Sequence, residues 1–168
     1  MPDSRLFVLD HDFPTNVMAL LPWPDHIRIA GLRNLHPDLV KDHDDWEVLR
    51  ELRLRGGVDA FITLDSRMLN LAKEMVVLCQ SRLSMIVFED VDNDPLVATG
   101  LLMIHLPYIS RQLVPRKAQL WIIRRSPSKS PLNPWNEGVE KVAVREGITA
   151  KELYERERLR PNPFLVGS

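Results

Sequence analysis

The sequence contains a single cysteine, Cys79, among its 168 residues. One cysteine cannot form a disulfide bond within the chain, which excludes the disulfide-stapled secreted scaffolds and suits a reducing compartment. The first residues, MPDSRLFV, contain no basic segment and no long apolar run, so no signal peptide is expected. These features together predict a cytoplasmic protein.

Long hydrophobic runs are also missing. The most apolar stretch, PLVATGLLMIHLPYI at positions 95–109, is too short and too interrupted to cross a bilayer. We interpret it as a buried helix and expect no membrane partner. The sequence shows no internal repeat and no low-complexity tract, and its length allows one compact domain with a sizeable core.

The charge is balanced overall but unevenly distributed along the chain. Residues 1–110 carry 10 Lys and Arg against 17 Asp and Glu, whereas residues 111–168 carry 12 against 6. An acidic body with a basic tail is compatible with a metal site beside a surface that binds a polyanion. The simpler interpretation is that both regions are solvated faces that attract each other.

Five segments are short, apolar and rich in β-branched or aromatic residues, as strands covered on both faces should be. They are 5–10, 26–32, 59–65, 84–90 and 118–125. Three helical patterns lie among them, at 42–57, 66–81 and 93–106. This alternation predicts an α/β fold, a three-layer α/β/α sandwich around a central, mainly parallel sheet of about five strands.

The pattern changes after position 125. Residues 126–168 contain a Pro/Ser loop, SPSKSPLNP, followed by the charged helix ITAKELYERERLRPNP. Thr149 and Glu152 have the spacing of a capping box at the start of this helix. We therefore divide the chain into a domain at 1–125 and a helical tail at 126–168, which we expect to pack on the body or on a partner.

Carboxylates follow several of the predicted strands. Asp10 ends the first strand with Asp12 just beyond it, and Asp65 ends the third. Further acids, Asp90, Asp92 and Asp94, follow the fourth strand. Ligands of open parallel sheets bind at the carboxyl ends of the strands, so these side chains are expected along one edge.

The helix before the third strand supplies another candidate. Asp45 shares a helix face with Leu49 and Leu52, which places it at the start of the apolar stripe and near the sheet. Clustered like charges repel and raise one another's pKa values unless a cation neutralises them. Hard oxygen ligands suit Mg²⁺ or Mn²⁺.

Four aspartates are therefore candidate metal ligands and catalytic residues: Asp10, Asp12, Asp45 and Asp65. A metal held there would polarise a phosphate oxygen and activate a bound water. The alternative is that each aspartate only caps or turns into the helix that follows it, because Asp is a favoured N-cap residue.

Three stretches resemble the PIN-like domains, which are nuclease-type α/β domains that include many bacterial toxin–antitoxin toxins. They are FVLDHDFP, DHDDWEVLRELRLRGG and DAFITLDSRML. The chain looks most like the prokaryotic subgroup with an Asp-x-Asp-x-Pro start, over about residues 6–125. The resemblance implies a ribonuclease that uses three or four carboxylates with Mg²⁺ or Mn²⁺. It also implies RNA as substrate, an antitoxin protein as partner and a homodimer as an assembly to test.

The resemblance assigns roles to individual residues. Asp10 matches the first acid of the family, and Asp65 matches the acid that ends its Thr-x-Asp motif. Asp45 matches the helical acid, with Asp44 as the alternative register. The glutamate that typical members carry on an earlier helix has no clear counterpart, and Asp12 is the candidate substitute.

One departure affects the metal site directly. Members of the family often carry another acid two residues after the Thr-x-Asp aspartate, where this chain has Arg67. That arginine would either contact phosphate or weaken the metal site. Arg67 is grouped with other basic candidates for an RNA path, Arg111, Arg116 and Lys117, although basic residues are often only solubilising.

His11, between two aspartates, is expected to point away from the site.

Two other functions fit parts of the pattern. A haloacid-dehalogenase-type phosphatase would use Asp10 as nucleophile and Asp12 as general acid, but Phe13 stands where its usual glycine would be. A receiver-like or catalytically inactive PIN-like interaction domain would need no cleavage chemistry. For a receiver, the expected lysine after the fifth strand is replaced by Arg124 and Arg125.

Overall fold

A computed structural model of the chain describes residues 4–91, 94–126 and 130–165. Its sheet consists of five strands, all parallel, in the order β2-β1-β3-β4-β5. The strands are β1 (Arg5–Leu9), β2 (Ile27–Gly31), β3 (Ala60–Thr63), β4 (Ser84–Phe88) and β5 (Leu120–Ile123). All five predicted strands are confirmed, and the observed strands are shorter at one or both ends.

Helices connect the strands and follow the last one. The α-helices are α1 (Thr15–Ala19), α2 (Leu32–Leu35), α3 (Asp45–Arg55), α4 (Ala72–Ser81), α5 (Pro95–Gln112), α6 (Glu140–Glu146) and α7 (Ala150–Glu157). Short 3₁₀ helices lie at Pro37–Leu39, Ser66–Asn70 and Pro163–Leu165, and a π-helix lies at Pro134–Val139.

Buried side chains cover both faces of the sheet. Val8 of β1 belongs to one core cluster, together with residues of α3 and α4, whereas Phe7 and Leu9 belong to a second cluster with residues of α5. Each fully buried side chain of this size contributes roughly 1.5–3 kcal/mol. The α/β fold with helices on both faces of a parallel sheet is as predicted.

The C-terminal helices complete one of these two clusters. Val139, Val142 and Leu153 are buried in the cluster that contains α3 and α4. Leu132 pairs with Leu120, the first residue of β5, through two backbone hydrogen bonds of 2.8 and 2.6 Å. Residues of the described part of the tail, 130–165, therefore pack on the body.

The predicted capping box at the start of α7 is present, and a second cap begins α5. The Thr149 hydroxyl accepts a hydrogen bond from the Glu152 N–H (3.2 Å), and the Thr149 N–H donates to the Glu152 carboxylate (2.8 Å). Asp94 caps α5 by accepting a hydrogen bond from the Leu96 N–H (2.9 Å), with Pro95 at the first helical position. Asp94 is therefore a helix cap. Asp92 lies outside the described residues.

Two helical predictions need correction. The segment 66–81 is not one helix, because Leu71 is extended and separates the 3₁₀ turn Ser66–Asn70 from α4. Helix α5 buries only one face, and Leu96 and Ile104 are exposed on its surface. In the part of the chain that the structure describes, no helix is both long and apolar enough to cross a membrane.

The register of the central strands determines where the candidate site forms. Leu9, the last residue of β1, pairs with Ile62 of β3, and the Asp10 N–H continues the ladder by donating to the Ile62 carbonyl (2.8 Å). The carboxyl ends of β1 and β3 therefore lie side by side. This edge carries Asp10, Asp12 and Asp65.

Candidate metal-binding and active site

Asp10 is held against β3 by its side chain as well as by its backbone. Its Oδ2 accepts a hydrogen bond of 2.9 Å from the Thr63 hydroxyl, and its Oδ1 accepts one of 2.7 Å from the His11 N–H. The residue is only 7% exposed. A buried carboxylate needs such partners, because an unpaired one would be costly to desolvate.

Thr63 also connects Asp10 to Asp65. Its hydroxyl oxygen accepts a hydrogen bond from the Asp65 N–H (3.1 Å), and the same hydroxyl donates a hydrogen bond to Asp10. Sequence reasoning did not select Thr63, although a threonine two residues before the strand-ending aspartate is the spacing of an ST turn. The side chain orders two of the predicted site residues at once.

Asp45 is the first residue of α3 and is partly buried. Burial raises the pKa of its carboxyl group, and the negative charges of Asp10 and Asp65 raise it further. Carboxylates from three separate elements are therefore close enough to repel one another. Asp44 is instead the exposed N-cap of α3, and its N–H donates to the Glu47 carboxylate (2.8 Å).

Glu74 is a further acid near this group that the sequence analysis missed. It lies in the first turn of α4 and is 8% exposed. Burial raises the pKa of its carboxyl group, a hydrogen bond from its own backbone lowers it, and the charges of Asp45 and Asp44 raise it. Nothing in the spacing of α4 distinguishes Glu74 from an ordinary first-turn glutamate, so no local signal would have found it.

Arg67 occupies the oxygens of Asp65. Its guanidinium donates to both carboxylate oxygens, at 2.8 and 2.7 Å, and its backbone N–H donates to Oδ1 at 3.0 Å. The hydrogen bonds from Arg67 hold the pKa of Asp65 below its ordinary value. The Arg67 side chain is 87% exposed, so water competes for this ion pair and a ligand can reach it.

The prediction that His11 points away from the site is wrong. Its Nδ1 lies 2.7 Å from Asp10 Oδ1 and its Nε2 lies 3.0 Å from Asp12 Oδ1. Partial burial lowers the pKa of His11, but the two carboxylates outweigh that effect and raise it above its ordinary value. When protonated, an imidazole between two acids neutralises part of their negative charge. The sequence pattern does not show this position of the His11 ring, because His11 lies in the turn after β1.

Part of this group lines an open cleft. A cavity of about 540 Å³ is lined by Asp12, Asp65 and Arg67, together with Leu64 and Ser66. Both acids and the arginine present polar groups to solvent there. The cleft lies at the carboxyl edge of the sheet, where ligands of open α/β folds bind.

The donors suit a hard divalent cation by chemistry but not by their present arrangement. Within residues 4–91, 94–126 and 130–165, no three His, Cys, Asp or Glu side chains are placed so that they could hold a metal ion. The oxygens of Asp65 are directed to Arg67, and those of Asp10 to Thr63 and His11. A metal at this edge would require Asp65 to leave Arg67.

In comparisons with known proteins, no family model, no curated protein and no solved structure matches this chain.

The other predicted RNA-binding residues lie elsewhere. Arg116 and Lys117 precede β5, and Arg111 is in the last turn of α5. Because all strands are parallel, residues that precede a strand lie at the amino edge, whereas Asp10 and Asp65 follow strands at the carboxyl edge. Of the four basic candidates, only Arg67 lines the acidic cleft.

Proposed function

We propose that this chain is a PIN-like domain that cleaves RNA phosphodiester bonds with Mg²⁺ or Mn²⁺ at the edge formed by Asp10, Asp45 and Asp65. The observation that carries the proposal is the convergence of three carboxylates that are far apart in the chain: burial raises the pKa of Asp45, and the nearby charges of Asp10 and Asp65 raise it further. A divalent cation would relieve that repulsion. Sites of perturbed titration in a cleft are often functional.

The divalent ion would polarise a phosphate oxygen and lower the pKa of a bound water. The chain's own residues prepare the edge for it. Thr63 fixes the orientation of Asp10 through a 2.9 Å hydrogen bond. Asp12 is exposed beside the cleft, and His11 holds it at 3.0 Å.

Arg67 has a part in this proposal. Its guanidinium is exposed at the cleft and pairs with Asp65 through two hydrogen bonds. When a backbone phosphate enters, the guanidinium can exchange carboxylate for phosphate, since both present the same pair of oxygens. That exchange would release Asp65 toward a metal and hold the substrate at the same time.

The same ion pair favours a second candidate, a catalytically inactive PIN-like interaction domain. If Arg67 never leaves Asp65, it replaces the cation permanently.

A phosphatase and a receiver have less support. The phosphatase nucleophile would be Asp10, which is 7% exposed and is not among the residues that line the cleft. The strand order is also that of receiver-type folds, but Arg124 after β5 pairs with Glu89 at 2.7 Å.

The deciding experiment compares RNA cleavage by the wild type, Asp10→Asn and Asp25→Asn in Mn²⁺ and in Mg²⁺. Asp25 is exposed and precedes β2, so its variant matches the charge change away from the cleft. The proposal expects cleavage by the wild type and Asp25→Asn, and loss with Asp10→Asn or with a chelator. Equal cleavage by all three proteins would place the activity elsewhere.

Mn²⁺ binding, followed by electron paramagnetic resonance, provides a readout without catalysis. Binding that Asp10→Asn weakens about tenfold supports the metal site. No saturable binding, together with no cleavage, supports the inactive domain.

The toxin role, the antitoxin partner and the homodimer are further parts of the proposal. A neighbouring gene for a small DNA-binding protein would support the first two, and sedimentation would test the third.

A further inference from the structure

A second cleft lies at the amino edge of the sheet, away from the acidic residues. It consists of two adjoining cavities of about 420 and 250 Å³, which share Arg53, Arg82 and Arg116 in their linings. Arg53 is in the last turn of α3, before β3, Arg82 directly follows α4, before β4, and Arg116 precedes β5. Three successive connections thus each bring one arginine to the same place.

The charge of this amino-edge cleft is one-sided. Of the residues that the structure describes, no acid lines the larger cavity, and Lys117 adds a further cation to the smaller one. Asp59 is the acid that lines the smaller cavity, and it is already held by Arg5 at 3.1 Å and by the Leu6 N–H at 2.7 Å. The lining of the cleft therefore carries more positive than negative side chains, which favours anions there.

The three shared arginines also differ in pairing from other arginines of the chain. Among the described residues, the structure records no ion pair for Arg53, Arg82 or Arg116, whereas Arg67 and Arg124, for example, are both paired. Guanidinium groups gathered without counter-charges repel one another. An anion that entered the cleft would relieve that repulsion, as the planar donor fork of arginine fits phosphate oxygens in pairs.

Aromatic side chains line the larger cavity beside the arginines. They are Tyr154 of α7 and Phe164 of the last 3₁₀ helix. Tyr154 packs edge-on against Trp135 with 4.5 Å between the ring centroids, which holds the ring in place. Cationic side chains for phosphate next to aromatic side chains for bases are the combination that binds single-stranded nucleic acid without sequence preference.

We propose that the amino-edge cleft binds a nucleotide phosphate, supplied either by a free mononucleotide or by single-stranded RNA. The strands are four or five residues long, so the two edges of the sheet are separated by roughly 13–17 Å. The cleft is therefore distinct from the acidic site. It does not depend on a metal or on cleavage, and it stands whether or not the acidic site is active.

The test measures binding in EDTA, so that any metal-dependent cleavage is prevented. The probes are AMP and a fluorescent 5′-phosphorylated oligoadenylate of eight nucleotides, titrated into the full chain. The test variant combines Arg53→Gln, Arg82→Gln and Arg116→Gln. The matched control removes three exposed cations elsewhere, with Arg28→Gln, Lys141→Gln and Lys151→Gln. Glutamine is chosen because Arg82 and Arg116 have positive φ angles that disfavour β-branched residues.

The proposal expects saturable binding by the wild type and by the control, and about tenfold or greater weakening in the test variant. A third variant with lysine at the three positions shows whether the guanidinium fork matters or only the charge, and it keeps the net charge if the glutamine variant fails to fold. AMP that binds and competes identifies a mononucleotide site, whereas binding of the oligonucleotide alone identifies an RNA path. No saturable binding of either probe, or equal weakening in the control, overturns the proposal.

Discussion

The Thr63 hydroxyl donates a hydrogen bond of 2.9 Å to Asp10 Oδ2 across two neighbouring strands. Thr63 is fully buried and Asp10 nearly so. The same hydroxyl oxygen accepts from the Asp65 N–H. One small side chain thereby links the acids that follow β1 and β3.

Replacement of Thr63 by valine keeps the shape and removes the hydroxyl. The buried Asp10 oxygen then loses a partner, and we expect the free energy of unfolding to fall by roughly 1–3 kcal/mol in urea titrations at pH 7. Thr99→Val is the matched control, because the Thr99 hydroxyl is also buried but donates only to the Pro95 carbonyl. An equal loss in the two variants, or none for Thr63→Val, would show that the link to Asp10 has no special weight.

The sequence was sufficient for the sheet and for part of the site. Apolar β-branched segments predicted each strand, and the parallel arrangement placed Asp10 and Asp65 on one edge. The spacing of Asp45 with Leu49 and Leu52 placed it toward the core, and the structure shows it partly buried and close enough to Asp10 for their charges to interact. These features depend on local periodicity and on strand direction, which a sequence displays.

Other contacts depend on side-chain orientation and could not be predicted. The pairing of Arg67 with Asp65 and the position of His11 between two acids arise from turns after the strands. Glu74 is buried in α4, and the packing of α4 against α3, the π-helix and α7 is not visible in the sequence. The predicted topology also implies that Lys117 lies at the amino edge, because it precedes a parallel strand, but the sequence analysis did not draw that conclusion and grouped Lys117 with Arg67.

Arg67→Gln should change the titration of Asp65. The Arg67 side chain is the main cause of the lowered pKa of Asp65, so that pKa should rise toward 3.8 in the variant. A lowered carboxyl pKa gives stability that is present above the unfolded value and is lost as the pH falls through the folded value. The variant should therefore lose less stability between about pH 4 and pH 2, measured by urea unfolding.

The same variant tests the proposed competition between Arg67 and a metal. With Asp65 released, Mn²⁺ should bind several-fold more tightly than to the wild type. Arg28→Gln supplies the control for the loss of one positive charge. Unchanged Mn²⁺ affinity in Arg67→Gln would mean that Asp65 is not a ligand.

The pKa of His11 should lie above its ordinary value of 6.5 because Asp10 and Asp12 stabilise its protonated form. A raised histidine pKa gives stability that is fully present below the unfolded value and is lost as the pH rises through the folded value. Carbon-bound ring proton shifts in NMR measure the midpoint. Asp12→Asn should lower that midpoint, and His11→Gln should remove the corresponding loss of stability above pH 6.5. A midpoint at or below 6.5 would contradict the bridged arrangement.

Glu74 carries an unrelieved cost at neutral pH. Burial and the charges of Asp45 and Asp44 raise the pKa of Glu74. A raised carboxyl pKa gives stability that is present below the unfolded value and is lost as the pH rises through the folded one. Glu74→Gln should therefore stabilise the protein at pH 7 by up to about 1 kcal/mol, with little gain at pH 4. Glu140→Gln, on the exposed side of α6, is the control and should change stability little at either pH.

If Mn²⁺ occupies the acidic edge, the advantage of Glu74→Gln should shrink as the ion is added, because the cation relieves the same repulsion. An advantage that is independent of both pH and Mn²⁺ would show that packing of α4, rather than charge, sets the stability at this position.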